Sequence, residues 1–141
     1  MAVNKPSYQI STWDHGPHLV NDGNNNQDHF ASACSHTYAS PAPWWKVDLQ
    51  NMYVIRSVKI YNRADSNTDR LQNGQIKVAD NLNFDMVDFK VCGEFRTMTE
   101  PTSREFFCPG YTYGQFVEVI MFHNEILTLC EVEVYGYLLN E

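Results

Sequence analysis

No stretch of this chain repeats its apolar residues at helical spacing. Instead, short alternating or apolar runs are cut off by Gly, Pro, Asn or Asp, a pattern that specifies an all-β fold. Tyr8–Ser11 is a first candidate strand, and Trp44–Leu49 begins the core. Tyr53–Arg63 alternates, with Val58 and Ile60 on one face and Lys59 and Tyr61 on the other. Asn73-Gly74 reads as a hairpin-type turn ahead of a short strand, Gln75–Ala79. Val87–Cys92 and Arg104–Cys108 flank a Thr-rich turn, and Gln115–Phe122 and Leu129–Tyr137 supply two last strands. About eight antiparallel strands at this spacing predict a jelly-roll β-sandwich occupying residues 1–141 as one domain, with no internal repeat.

A chain of 141 residues buries about 70% of its unfolded surface and does not need covalent staples to fold. It nevertheless carries four cysteines, Cys34, Cys92, Cys108 and Cys130, widely spaced and without a C-x-x-C. An even set of this kind favours two disulfides and an oxidising compartment over zinc or redox chemistry, and leaves three pairings open. A zinc half-site at Cys34 and His36 would lack other ligands at recognisable spacing. Cys92 and Cys108 enclose 15 residues, so a bridge between them would close a hairpin-like loop and contribute about 3 kcal/mol.

The net charge of −7, from 17 acidic and 10 basic residues, argues against nucleic acid and anionic membrane as main partners, since both demand a positive footprint. No apolar run approaches the roughly 20 residues that span a bilayer, so membrane insertion is not expected. The opening Met-Ala-Val-Asn-Lys-Pro has no apolar signal core, so for a secreted protein Met1 would mark a recombinant mature form. There is no N-x-S/T sequon, hence no expected N-glycan.

Two regions carry chemistry. Residues 12–43 form a long irregular segment, and a loop of that length in a compact domain is usually functional. Its tract Asn21-Asp22-Gly23-Asn24-Asn25-Asn26 concentrates oxygen ligands as a calcium loop does. The second region is the polar cluster of His36 with Arg63, Asp65 and Arg70. Enzyme readings fit it poorly. No nucleophile context such as G-x-S-x-G is present. Asp65 and Asp69 each have an arginine beside them, which lowers a carboxylate pKa and disfavours a general acid. Sugar binding fits well: arginine holds five fixed donors against vicinal hydroxyls, and neutral histidine both donates and accepts. Asp65 would brace the two arginine forks.

The spacing of His36, 26 intervening residues, Arg63-x-Asp65, four residues and Arg70 resembles the motif of the F-type lectins, a fucose-binding family. Asp22-Gly23-Asn24, Cys34-Ser35-His36, Pro43-Trp44-Trp45-Lys46-Val47-Asp48-Leu49, Asn62-Arg63 and Leu129-Cys130-Glu131-Val132-Glu133-Val134-Tyr135-Gly136 resemble further family landmarks, in order and across almost the whole chain. The resemblance implies a shallow pocket at one end of the sandwich. There His36, Arg63 and Arg70 would hydrogen-bond the ring oxygen and the 3- and 4-hydroxyls of terminal α-L-fucose. Phe30 and His29 would wall the fucose methyl, with His15 or Trp13 adding to that wall. It also implies a structural Ca2+ held by Asp22, Asn24 and Glu131 and by the backbone of Leu19, Ala33 and Cys130, and it pairs Cys34 with Cys130 and Cys92 with Cys108. The implied protein is secreted, binds fucosylated glycans and glycoproteins, and serves in innate immune recognition or agglutination. A shallow monosaccharide site binds weakly, so such a function would rest on multivalency, through a homo-oligomer or clustered glycans.

Two departures from the family pattern stand out. Ala33 occupies a position where a serine often contributes a hydroxyl to the metal. Ser66-Asn67 replaces two adjacent cysteines whose disulfide packs against the sugar, and Asn67 would instead hydrogen-bond a neighbouring sugar. The alternative from another class is a discoidin-like adhesion module that binds phospholipid or protein through apolar end loops.

Overall fold

A computed structural model describes residues 1–28, 33–81, 88–99 and 102–139. Its strands are β1 (Ser7–Gln9), β2 (Trp44–Asn62), β3 (Gln72–Ala79), β4 (Lys90–Thr97), β5 (Ser103–Phe107), β6 (Tyr113–Met121) and β7 (Leu129–Leu138). Among the described residues there are also two 3-10 turns, Pro17–Val20 and Thr68–Arg70. The chain is all-β, as its alternating runs predict.

Seven strands take the place of about eight because the two runs Trp44–Leu49 and Tyr53–Arg63 fuse into the 19-residue β2. The strand bends rather than ends. Gln50 adopts a left-handed φ of 70°, its amide donates to Asp48 Oδ1 at 2.7 Å, and the register slips between Asp48 and Tyr53. A local side-chain cap thus satisfies the backbone where the ladder breaks, and the bulge turns the strand. The first half of β2 pairs with β1 and β6, and the order continues β6-β3-β4. The second half pairs with β7 on one side and β5 on the other.

These two groups enclose one core. Trp45, Val47 and Leu49 from early β2 share it with Ile76, Val117, Val119 and Met121, and with Val58, Ile60, Val132 and Val134 from the other group. Alternation alone decides which side chains enter it, since residues two apart point to one face. Asn73-Gly74 does not make a turn. Asn73 takes the left-handed conformation (φ 53°), but Gly74 lies inside β3, opposite Phe95 of β4 and Met121 of β6. A Cβ there would strike the Phe95 ring and approach the Ile120 carbonyl at 2.8 Å, so the glycine serves close strand packing instead.

Both disulfides connect as the resemblance implies, Cys34–Cys130 and Cys92–Cys108. The second does not close a hairpin. β4 pairs with β3 and β5 with β2, with no β4–β5 ladder among the described residues, so this bridge clips the outer strands of the two layers together. The first bridge removes Cys34 from any zinc site and fastens the long segment to β7.

Candidate functional site

The segment around His36 has no sheet of its own, so its backbone groups are satisfied from both sides. Ser35 N donates to Leu129 O at 2.8 Å and Thr37 N to Leu127 O at 3.1 Å. On the other flank Trp13 N donates to His36 O at 2.9 Å, and His36 N to His15 O at 3.1 Å. With the adjacent Cys34–Cys130 bridge, these bonds hold a non-repetitive segment rigid enough to present a buried imidazole (His36, 3% exposed).

The imidazole is oriented by a residue that spacing did not reveal. His36 Nδ1 lies 3.1 Å from Asp14 Oδ1, and its Nε2 lies 3.5 Å from Arg70 Nη1. A carboxylate can only accept, which places the proton on Nδ1. Nε2 is then an acceptor turned toward a guanidinium, the tautomer that avoids a second cation beside Arg70.

Arg63 leaves the end of β2 and is itself buried. Asp65 grips it twice, Nε to Oδ1 at 2.7 Å and Nη2 to Oδ2 at 3.3 Å, the fork-to-fork geometry in which an arginine is held in one orientation. Its neighbour Asn62 is buried too, donating to Thr68 O at 3.0 Å and Met98 O at 3.1 Å, so the strand end and the following 3-10 turn move as one piece. Asp65 was expected to brace both arginines. Arg70, carried by the turn, has its ion pair instead with Glu125 Oε1, at 4.0 Å. That longer contact leaves its guanidinium less constrained.

The aromatic side of the site is Trp13, whose ring centroid stands 4.4 Å from that of His36. Tyr38 follows at 6.5 Å from Trp13, and both rings are more than half exposed (53% and 55%). Exposed aromatics beside a buried polar cluster provide an apolar wall next to hydrogen-bonding groups. Of the two wall residues named with Phe30 and His29, Trp13 takes the place. His15 instead turns Nδ1 to Cys34 O at 3.0 Å, holding the segment. Phe30 and His29 lie outside the described residues. Asn67 is exposed, in the left-handed conformation (φ 53°), at the start of the Arg70 turn, with Nδ2 3.4 Å from Ser66 Oγ. Asp14, Glu125 and Tyr38 were missed. Tyr38 had a signal, an aromatic two residues from His36; the two carboxylates had none.

The second region gathers around Glu131, a carboxylic acid at 1% exposure. Gly23 N donates to its Oε2 at 3.0 Å, while Oε1 has no hydrogen-bond partner. Burial drives its pKa up to about 8, the Gly23 amide works in the opposite direction, and nearby Asp22 raises it further. Asp22 Oδ1 and Asn24 Oδ1 accept from Asn24 N (2.9 Å) and Asn26 N (3.0 Å), which shapes the loop. An orphaned buried oxygen beside a second carboxylate fits a hard cation. Among the described residues no three His, Cys, Asp or Glu side chains form a metal cluster, so amide and backbone oxygens of Asn24, Leu19, Ala33 and Cys130 would have to complete the shell.

The chain is similar to several known proteins. A family model described as a NedA-like, galactose-binding domain matches residues 19–119. Fucolectin-1 of Anguilla japonica is 38% identical over 122 residues, spanning 86% of this chain and 68% of its own length. The chain belongs to the F-type lectin family. A serum f-lectin (fucolectin) of the striped bass, Morone saxatilis, superposes with a TM-score of 0.88 at 32% identity, covering 97% of this chain and 48% of that one. The lectin domain of Lectinolysin, solved with Lewis B antigen, reaches a TM-score of 0.85 at 28% identity over 96% of this chain and 94% of its own. The chain thus spans about two thirds of the eel relative and about half of the bass protein. Its relatives are lectins and carbohydrate-binding modules, which makes this lectin domain a binding protein and not an enzyme. No helix among the described residues is long and apolar enough to cross a membrane.

Proposed function

We propose that this domain binds terminal α-L-fucose on extracellular fucosylated glycans and glycoproteins. One observation carries the reading: His36 Nε2, an acceptor, and Arg70 Nη1, a donor, converge at 3.5 Å beside exposed Trp13. Neighbouring sugar hydroxyls need such adjacent donors and acceptors, and the fucose methyl needs an apolar wall. In this assignment His36 accepts a hydroxyl proton at Nε2, while Arg63 and Arg70 donate and Asp14, Asp65 and Glu125 position them. The name of the eel relative and the Lewis B complex of the Lectinolysin domain support the sugar.

We also propose that Asp22, Asn24 and Glu131, with the backbone of Leu19, Ala33 and Cys130, hold a structural Ca2+. The orphaned Glu131 oxygen supports it. The ion would neutralise buried Glu131 and partly buried Asp22 and tie the 21–26 tract to β7. Secretion agrees with two disulfides and with the serum origin of the bass lectin, and innate recognition or agglutination would follow from clustered copies. A glycan array run with and without a calcium chelator tests both parts. Signal confined to fucosylated glycans and weakened by chelation is expected; equal binding to fucose-free glycans would sink the sugar reading, and indifference to the chelator the metal.

A further inference from the structure

We propose that Gln27 is a positioning residue for the sugar site: it fixes the backbone on both sides of Arg63 and joins that arginine to the acidic loop. The inference rests on the fucose reading of the His36 and Arg63 cluster, and its link to the loop rests on the calcium reading. Gln27 belongs to neither set of ligand-holding residues.

Arg63 needs such a support because no strand partner provides it. The β2–β7 ladder reaches Asn62 and the β2–β5 ladder reaches Tyr61, so Arg63 leads off the strand with a buried side chain. At that exit Asn62 N donates to Thr102 O at 2.7 Å. Gln27 Nε2 donates to both carbonyls there, at 2.8 Å to Asn62 O and at 3.1 Å to Thr102 O. A carboxamide nitrogen carries two hydrogens, one for each carbonyl, so only one orientation of the side chain serves. On the far side of Arg63, Ala64 N donates to Gln27 O at 2.8 Å. One residue therefore grips positions 62 and 64. The guanidinium between them, already forked to Asp65, is held at its root as well as at its tip.

Gln27 also stands near the end of a continuous relay from the acidic loop. Gly23 N is tied to Glu131 Oε2 at 3.0 Å. From Asp22 onward every second side chain caps the backbone two residues on. Asp22 Oδ1 accepts from Asn24 N at 2.9 Å, Asn24 Oδ1 from Asn26 N at 3.0 Å, and Asn26 Oδ1 from Asp28 N at 3.0 Å. Three successive turns of this kind make residues 22–28 a short rod instead of a slack loop. Each capping oxygen keeps a further lone pair, so a cation can take Asp22 and Asn24 without undoing the turns. Ordering the start of the rod would then order its other end, where Gln27 holds Arg63.

The test measures methyl α-L-fucoside affinity by titration calorimetry, with calcium and with a chelator, beside melting temperature. The wild-type chain is compared with Gln27→Ala and Gln27→Met; methionine keeps the length of the side chain and lacks the donors. Calcium should tighten fucoside binding by the wild type about fivefold or more, the lower end of couplings between sites. Both variants should bind the fucoside more weakly, and calcium should change their affinity by less than about twofold. Calcium should still raise their melting temperatures, a split that simple loosening of the fold does not produce. Wild-type affinity or wild-type coupling in Gln27→Met overturns the assignment, and so does failure of both variants to fold. Fucoside binding by the wild type that ignores calcium overturns the link and leaves the fucose reading intact. A wild type whose melting temperature ignores calcium overturns the link together with the calcium reading, and one that ignores methyl α-L-fucoside overturns the inference together with the fucose reading.

Discussion

The His36 cluster and the acidic loop lie on either side of one disulfide, yet they treat their charged groups in opposite ways. Around His36 each donor has a carboxylate counterpart: Asp14 for the neutral imidazole, Asp65 for Arg63, Glu125 for Arg70. Around Glu131 a buried carboxylate lies beside partly exposed Asp22, and one of its oxygens has no partner. The first site is preorganised, so a ligand meets donors already aimed and spends little on ordering them. The second is electrostatically incomplete, and the proposed cation would complete it. Cys34, two residues before His36, and Cys130, one before Glu131, join the two.

Breaking that joint should have the largest effect. The bridge links residues 96 apart, and a loop of that order is worth about 4–5 kcal/mol in the chain-entropy model. Replacing Cys34 and Cys130 together by serine should lower the thermal midpoint sharply, and circular dichroism would show it; an unchanged midpoint would mean the segment is held by its backbone bonds alone. Arg63→Ala comes next. It leaves Asp65 without its buried partner and should cost about 2–5 kcal/mol of fucoside binding in calorimetry.

Calcium separates the two regions most directly. At a hundredfold excess over its Kd, the ion should stabilise the fold by about 2.7 kcal/mol, read as a rise in melting temperature. Glu131→Gln should abolish that rise while retaining some fucoside binding; a full calcium response in this variant would place the metal elsewhere. Arg70→Ala should weaken binding by about 1.5–3 kcal/mol with little change in melting temperature, because its Glu125 contact is long and partly exposed. Trp13→Ala is the smallest perturbation, about 1 kcal/mol of binding, since its ring is half in solvent already. If it matched Arg63→Ala, the wall and not the polar cluster would dominate.

Much of this was legible in the chain, and for definite reasons. Residues near one another in sequence, or fixed by alternation, follow from local chemistry. The buried Val58 and Ile60 face is read from period two, and the Arg63–Asp65 fork from a spacing of two residues. The turn expected at Asn73-Gly74 failed because two neighbouring strands claimed its backbone, a demand invisible locally. The break expected between Leu49 and Tyr53 failed because Asp48 caps Gln50 and lets the strand bend on.

By itself, then, the sequence determined the strand alternation, the oxidised cysteines, and the histidine and arginines of the candidate site, since each depends on residue type and short-range order. Tertiary structure alone decided that Asp14 would set the tautomer of His36 from 22 residues away. It likewise brought Glu125 to Arg70, and closed Glu131 over with nothing to satisfy one oxygen. Those are long-range electrostatic pairings. They exist only once distant loops meet at the end of the sandwich, where burial makes each unpaired charge costly enough to require a partner.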